Sequence, residues 1–270
     1  MSGDARPLVF ITGASSGIGQ ALAARFQRAG YRLALVARRA DEVARWATAQ
    51  GFDAAIWAVY GADVRDVAAI TGAGRACIAA QGVPDVVIAN AGISVGMDTA
   101  VLADLEVLRT TYETNNLGLA ATFHPFVAAM TARKSGTLVG IASVAGIRGL
   151  PGHGAYSSSK AGVIAYCESL RGELRASGVR VVTIAPGYID TPLTQGNRYS
   201  MPFLMSAEAF ADRAFAAISA GDRFRFILGR WRSSRACSSG CRTRSTTASS
   251  RAGRARSGNR KPKRRKRQRR

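Results

Sequence analysis

The sequence predicts an α/β fold: a single doubly wound parallel sheet with helices on both faces. Short β-branched runs alternate with Ala-rich helical stretches from Leu8 onward. The runs are apolar throughout instead of alternating, as strands are when helices cover both faces of a parallel sheet. That pattern places a ligand site at the carboxyl ends of the strands.

Leu8–Thr12 is the first strand, and it runs into a glycine-rich turn that opens a helix over 15–29. Arg32–Ala37 and Ala54–Val59 follow as strands, with a helix over 41–50 between them. A helix over 65–81 leads to the fourth strand, Asp85–Asn90. The stretch 104–133 reads as one long helix before the strand Gly136–Ser143. A helix over 155–177 then precedes the strand Arg180–Ala185. A helix over 206–219 and a seventh strand, Phe224–Leu228, complete the pattern. There is no internal repeat.

A chain of 270 residues suits one large α/β domain, but a formal net charge of +21 is unusual. Of the 38 Lys and Arg, 17 fall within residues 229–270, which hold no acid. Residues 1–228 keep the other 21 against 17 acidic side chains and are nearly balanced. Residues 1–228 therefore form the folded domain, and 229–270 a basic tail. The tail lacks Leu, Ile, Val and Phe, so burial cannot offset its ordering entropy and it is expected to be disordered. Three readings of it stand: an anchor for nucleic acid or acidic membrane, a solvated tail, or a frameshifted end.

Cys77 and Cys167 sit in helical stretches and read as small core hydrophobes. Cys237 and Cys241 have no second pair and no nearby His, so no metal site is expected. No apolar run approaches the ~18 residues of a membrane span. The first residues lack the regions of a secretory signal, which makes a cytoplasmic location the expectation.

Thr12-Gly13-Ala14-Ser15-Ser16-Gly17-Ile18-Gly19 closes the first strand and opens the first helix. Glycines there allow a tight turn and close backbone approach to a pyrophosphate, while the helix N-terminus offers free N–H groups. An NAD-binding site usually places an acid about 20 residues beyond the glycines, for the ribose 2′-hydroxyl. Here Ala37 stands 18 residues after Gly19 and is followed by Arg38 and Arg39. The absent acid and the two guanidinium groups favour NADP(H) over NAD(H), the alternative being two solvated strand-end charges. Asp63-Val64 follows the third strand and Asn90-Ala91-Gly92 ends the fourth. A short polar side chain at such a point can bind adenine or brace the sheet.

Tyr156-Ser157-Ser158-Ser159-Lys160 is the most informative segment. Positions i and i+4 share one helix face, so the phenol and the ammonium sit side by side. A free Tyr has a pKa near ~10, and an adjacent cation brings it toward a useful range for acid–base work. Lys134 and Lys160 are the only lysines among residues 1–228. Ser143 ends the fifth strand, 13 residues before Tyr156, where its hydroxyl can share a substrate oxygen with the phenol. Asn115 and Asn116 are poor helix formers inside a helical stretch, which invites a buried polar network. His124 precedes Pro125 and reads as structural, whereas His153 lies in a Gly-rich loop and can face substrate or solvent.

Together these motifs resemble the short-chain dehydrogenase/reductase superfamily, a Rossmann-type fold, over roughly residues 7–228. The resemblance rests on Thr12–Gly19, Asp63, Asn90-Ala91-Gly92, Asn115, Ser143, Tyr156, Lys160, and Pro186-Gly187 through Thr191. It implies that Tyr156 exchanges a proton with the substrate oxygen, Lys160 lowers its pKa and holds the nicotinamide ribose, and Ser143 orients the carbonyl. Asn115 would support a water relay to Lys160. Asp63 and Asn90 match the family's adenine-side and sheet-bracing positions, and Pro186, Gly187, Ile189 and Thr191 its nicotinamide side. The resemblance also implies a homodimer or homotetramer. Family members usually continue past the seventh strand with segments that close the pocket, a region replaced here by the basic tail.

The loop from Pro192 to Ser206 carries Leu193, Tyr199, Met201, Phe203, Leu204 and Met205 and is expected over the substrate. With Ser143, His153 and Tyr156, the residues Tyr199 and Phe203 are the substrate candidates. The expected function is hydride transfer between NADP(H) and a carbonyl or secondary alcohol, on a hydrophobic ketone. The alternative is a non-catalytic NADP(H)-binding sensor, or a nucleic-acid-associated protein using the basic tail.

Overall fold

Leu8–Thr12 (β1) is buried along its whole length, and the sheet is built outward from it. The computed structural model describes residues 5–195 and 200–229, which belong to the compact unit Met1–Trp231. One side of β1 holds β2 (Arg32–Ala37) and then β3 (Trp57–Gly61). The other holds β4 (Val86–Ala89), β5 (Gly136–Ile141), β6 (Val179–Pro186) and finally β9 (Phe224–Ile227). All seven strands are parallel, in register pairs such as Phe10 with Ala34 and Phe10 with Val87. The strand order reverses between β1 and β4, the point where doubly wound sheets open a crevice.

Alternate residues of β1 feed two cores, as the strand period of two demands. Val9 and Ile11 pack with Leu22 and Phe26 of α1 (Gly17–Arg28) and Phe210 of α8 (Ala207–Ala220). Leu8 and Phe10 face the other way. They pack with Cys77 of α3 (Val67–Gln81), Phe126 of α5 (Gly118–Arg133) and Cys167 of α6 (Gly154–Glu173). Both described cysteines are thus buried core residues.

The third strand begins later than the sequence predicts. Residues Ala54–Ile56 form a 3-10 turn instead, because the Asp53 carboxylate accepts the Ala55 N–H at 2.9 Å and caps it. The stretch 104–133 is not one helix. It divides into α4 (Leu105–Tyr112), a π turn at Glu113–Leu117 and α5, with Asn115 and Asn116 inside the π turn. Side-chain hydrogen bonds of the two asparagines draw this turn toward its neighbours, and the wider coil accommodates them. Pro125 is tolerated within α5, where its ring packs against Gly74 of α3 so closely that a Cβ there would lie 2.4 Å from it.

The sixth helix ends at Glu173, before the expected 177, and a run of turns leads to Gly178 (φ +77°), where a Cβ would lie 2.4 Å from the Lys134 carbonyl. A small parallel pair that the sequence pattern did not announce, β7 (Ile189–Asp190) with β8 (Met205–Ser206), brackets a short helix α7 (Pro192–Gln195). The remaining helix, α2 (Ala40–Ala49), joins β2 to β3. Among the described residues no helix is long and apolar enough to cross a membrane. The basic tail beyond Gly229, with Cys237 and Cys241, lies outside the described residues.

Phe126 is fully buried with its ring 4.8 Å from that of Phe10, so it fixes α5 on the sheet. Phe126→Ala is expected to cost about 3–5 kcal/mol by urea unfolding. A loss below about 1 kcal/mol would show that α5 is held elsewhere.

Candidate functional site

A cleft of about 500 Å³ opens over the carboxyl ends of β1, β4, β5 and β6. Its floor at one end is the turn between β1 and α1, where Gly13 (φ +71°) and Gly17 (φ +52°) adopt left-handed backbone. A Cβ on Gly19 would lie 2.1 Å from the Gly13 carbonyl, so the turn can close only with glycine there. The Ser16 side chain makes no cap hydrogen bond to the helix it precedes, leaving the first-turn N–H groups of α1 for an anion. Asn90 braces this turn: its amide donates to the Thr12 carbonyl at 3.0 Å, and its own N–H donates to the Thr12 hydroxyl at 3.1 Å.

Beyond the glycine turn the cleft is charged. Arg38, Arg39, Asp63 and Arg65 all line it. The Arg38 guanidinium is 64% exposed and stands 3.9 Å from Asp63. Arg39 is tied to Glu42 at 2.6 Å. Hydrogen bonds from Arg65 hold the Asp63 carboxyl below the usual carboxylate range.

At the other end, α6 presents Tyr156 and Lys160 on one face, with Tyr156 half-buried and Lys160 buried. The Lys160 ammonium donates to the Ile141 carbonyl at 2.8 Å and lies 5.8 Å from the Tyr156 ring centre. Burial pushes the Tyr156 phenol above its ordinary value, while a hydrogen bond with the Ser143 hydroxyl pulls the other way. The sequence led to the opposite direction, a phenol lowered by its lysine. Burial outweighs that effect here, and the ammonium is turned onto the strand-end carbonyl. The Ser143 hydroxyl also accepts the Ala145 N–H at 3.1 Å, which fixes it at the end of β5.

Asn115 lies behind these groups. Its side chain accepts the Ile93 N–H at 2.9 Å and donates to the Ile93 carbonyl at 3.0 Å and to the Ser159 hydroxyl at 2.9 Å. Asn116 donates to the Ser159 carbonyl at 2.9 Å. The π turn thereby ties the loop after β4 to the helix that carries Tyr156 and Lys160.

Of the sequence-based candidates, Gly13, Ser15, Ser16, Gly17, Ile18, Arg38, Arg39, Asp63, Val64, Asn90, Ala91, Gly92, Tyr156, Lys160, Pro186 and Thr191 line the cleft. Gly19, Asn115 and Ser143 sit behind its wall, bonded or packed to lining groups. Ile189 packs its side chain in the core and the Gly187 N–H is bonded to the Ile227 carbonyl, and neither residue lines the cleft. His153 stands just before α6 and Phe203 is 41% exposed, both outside the lining. Tyr199 lies outside the described residues. Pro192 and Leu193, from the loop expected over the substrate, line the cleft, and so do Arg65, Thr110 and Thr114, which the sequence did not mark.

Comparison with known proteins gives the family and the fold. The family model described as short chain dehydrogenase matches residues 7–201. An uncharacterized oxidoreductase of Myxococcus xanthus is 40% identical over 213 residues, 78% of this chain and 83% of that protein. An acetoacetyl-CoA reductase of an Acinetobacter species is 33% identical over 193 residues, 71% of this chain and 77% of that protein. A solved structure described as ElxO with NADP bound has the same fold, with a TM-score of 0.74 at 23% identity. That likeness covers 83% of this chain and 96% of the other.

Burial lowers the Lys160 ammonium from 10.5 to about 8. Between those two values the unfolded chain holds a proton that the folded one has released, so stability rises with pH across that window. Keeping Lys160 charged at pH 7 therefore costs the fold up to about 3 kcal/mol. Lys160→Met is expected to gain on the wild type at pH 7, with the gap closing as pH rises past 10. Thermal unfolding at pH 7 and 10 without added nucleotide measures it, and a gap independent of pH would contradict it.

Proposed function

The chain belongs to the short-chain dehydrogenase family, and we propose that it moves hydride between NADP(H) and an apolar ketone or the corresponding secondary alcohol. The observation that carries this reading is a cleft with Tyr156 and Lys160 lining one end and, at its other end, a glycine turn flanked by an exposed Arg38. The residues present fit a dinucleotide. A Cβ on Gly19 would collide with the Gly13 carbonyl and one on Gly13 with Ala91 and Asn90, so the turn keeps bare backbone beside the cleft, and a Cβ on Gly92 would crowd Asn115 Oδ1 at 3.1 Å and Lys160 Nζ at 3.3 Å.

Gly13, Ser15, Ser16 and Gly17 would hold the pyrophosphate, Arg38 the 2′-phosphate, and Asp63 and Val64 the adenine side. Lys160 would hold the nicotinamide ribose, and Pro186 and Thr191 would flank the ring. When bound, the cofactor gives hydride to the carbonyl carbon or takes it from the alcohol. Tyr156 donates a proton from its hydroxyl to the substrate oxygen as the carbonyl is reduced. Ser143 donates a hydrogen bond to the same oxygen and so stabilises the developing negative charge. A phenol held above its ordinary value stays protonated at neutral pH, which suits the acid role and thus reduction. Oxidation needs the phenolate, and the buried charge on Lys160 favours that form. Asn115 holds the helix that presents both groups.

NADP(H) is the favoured cofactor because Ala37 replaces the usual acid and Arg38 follows it. The NADP named for ElxO is consistent with this choice, and a relative named acetoacetyl-CoA reductase is consistent with a carbonyl substrate. Leu193, half-exposed on the cleft wall, supports an apolar substrate. A homodimer or homotetramer is the assembly we infer from family membership.

Tyr156→Phe is expected to lower kcat for NADPH-dependent ketone reduction about 10²–10⁴-fold while leaving NADPH binding within about twofold. NADPH oxidation over a panel of apolar ketones, with fluorescence titration of the nucleotide, measures both. Full activity in this variant would overturn the assignment. Arg38→Ala is expected to raise KM for NADPH about tenfold or more and to leave KM for NADH nearly unchanged.

A further inference from the structure

Asp63 places a carboxylate in the stretch of cleft where the NADP(H) reading above needs to accept an anion. Two arginines compete for that carboxylate. Arg65 holds it with three donors in four contacts: its N–H reaches Oδ1 at 3.0 Å, Nε reaches Oδ1 at 3.3 Å and Oδ2 at 3.2 Å, and Nη2 reaches Oδ2 at 2.8 Å. Arg38 stands off at 3.9 Å from the same Oδ2.

Arg39 is engaged with Glu42, so Arg65–Asp63 and Arg39–Glu42 form two neutral pairs along this wall. Arg38 is left as the cation with unspent charge. On the far side Glu113 attracts Arg65, but Glu113 is itself bonded by Arg109. We propose that Arg65 determines the preference for NADPH over NADH by occupying Asp63, which keeps Arg38 free to meet the 2′-phosphate. Remove Arg65, and Arg38 needs to move only about one ångström to close on Asp63 at the ordinary 2.7–2.9 Å of a charge-assisted bond. The phosphate would then meet a neutral pair in place of a cation. This inference rests on the cofactor reading above and goes beyond it, because Arg65 need not touch the nucleotide.

The test is a double-mutant cycle on the full chain, with Arg65→Gln, Asp63→Asn and both together. Dissociation constants are measured for NADPH, NADH, 2′,5′-ADP and 5′-AMP, and thermal unfolding checks that each variant folds. Arg65→Gln is expected to weaken NADPH and 2′,5′-ADP about fivefold while NADH and 5′-AMP move less than about twofold. Adding Asp63→Asn should release Arg38 and bring NADPH back to within about twofold of Asp63→Asn alone. An equal loss for the ligands without the 2′-phosphate, no loss for NADPH, or no rescue by Asp63→Asn would each overturn the inference. A wild type that binds NADPH no better than NADH would overturn the cofactor reading itself, and this inference with it.

Discussion

Two asparagines in the π turn after α4 reach across to one serine on α6, and the working end of the cleft depends on that contact. Asn115 bonds the Ser159 hydroxyl while Asn116 bonds the Ser159 carbonyl, and Asn115 also takes both backbone groups of Ile93. Ser159 is fully buried and precedes Lys160, so the grip falls on the turn that sets the heading of Tyr156 and Lys160. Neutral amides serve here without the desolvation cost of a charge: Asn115 donates and accepts at once, while Asn116 donates and leaves its Oδ1 buried without a partner. An α-helical turn offers side chains every 100° or so, and the wider π turn lets adjacent asparagines bond the same residue. A local sacrifice of helix geometry thus fixes three segments that the sheet alone would leave independent.

The opposite end is organised by backbone, with side chains added only at the rim. A Cβ on Gly19 would collide with the Gly13 carbonyl and one on Gly13 with Ala91 and Asn90, which leaves backbone as the available surface. Selectivity is added by charges at the rim, where solvent screens each pair and only the net balance matters. In the proposed arrangement two ion pairs cancel and one guanidinium remains. A fold-level feature supplies affinity for any dinucleotide, and a few exposed side chains choose between close variants of it.

Most of the fold was legible because its strands are apolar on both faces and its turns carry glycine. Each of the seven strands of the main sheet was placed, and the helices around them were correct to within a few residues at most ends. Two of the departures share a cause: side-chain hydrogen bonds that compete with regular backbone, as Asp53 does at the third strand and Asn115 and Asn116 do in the π turn. Two asparagines in mid-helix were visible as an anomaly, but the partner, Ser159, was 43 residues away and had no mark of its own. Arg65 was hidden differently. It reads as an ordinary surface arginine until Asp63, two residues before it, is seen to turn into the cleft. The short β7–β8 pair was illegible for want of length, since two-residue strands have no period to detect.

The protonation states of Tyr156 and Lys160 show how one helix face can serve the proposed chemistry in both directions. Burial shifts the phenol up and the ammonium down, so each is pushed toward its neutral form. A neutral phenol is a ready proton donor, and a lysine near 8 changes charge within reach of physiological pH. The Ile141 carbonyl, 2.8 Å from the ammonium, stabilises the charged form, and a ribose hydroxyl bound beside it would do the same. Each hydrogen bond gained by Lys160 retains positive charge beneath Tyr156, and that charge makes the phenolate easier to form. Binding at one end of α6 would thereby tune acidity four residues away, with no movement of the backbone required.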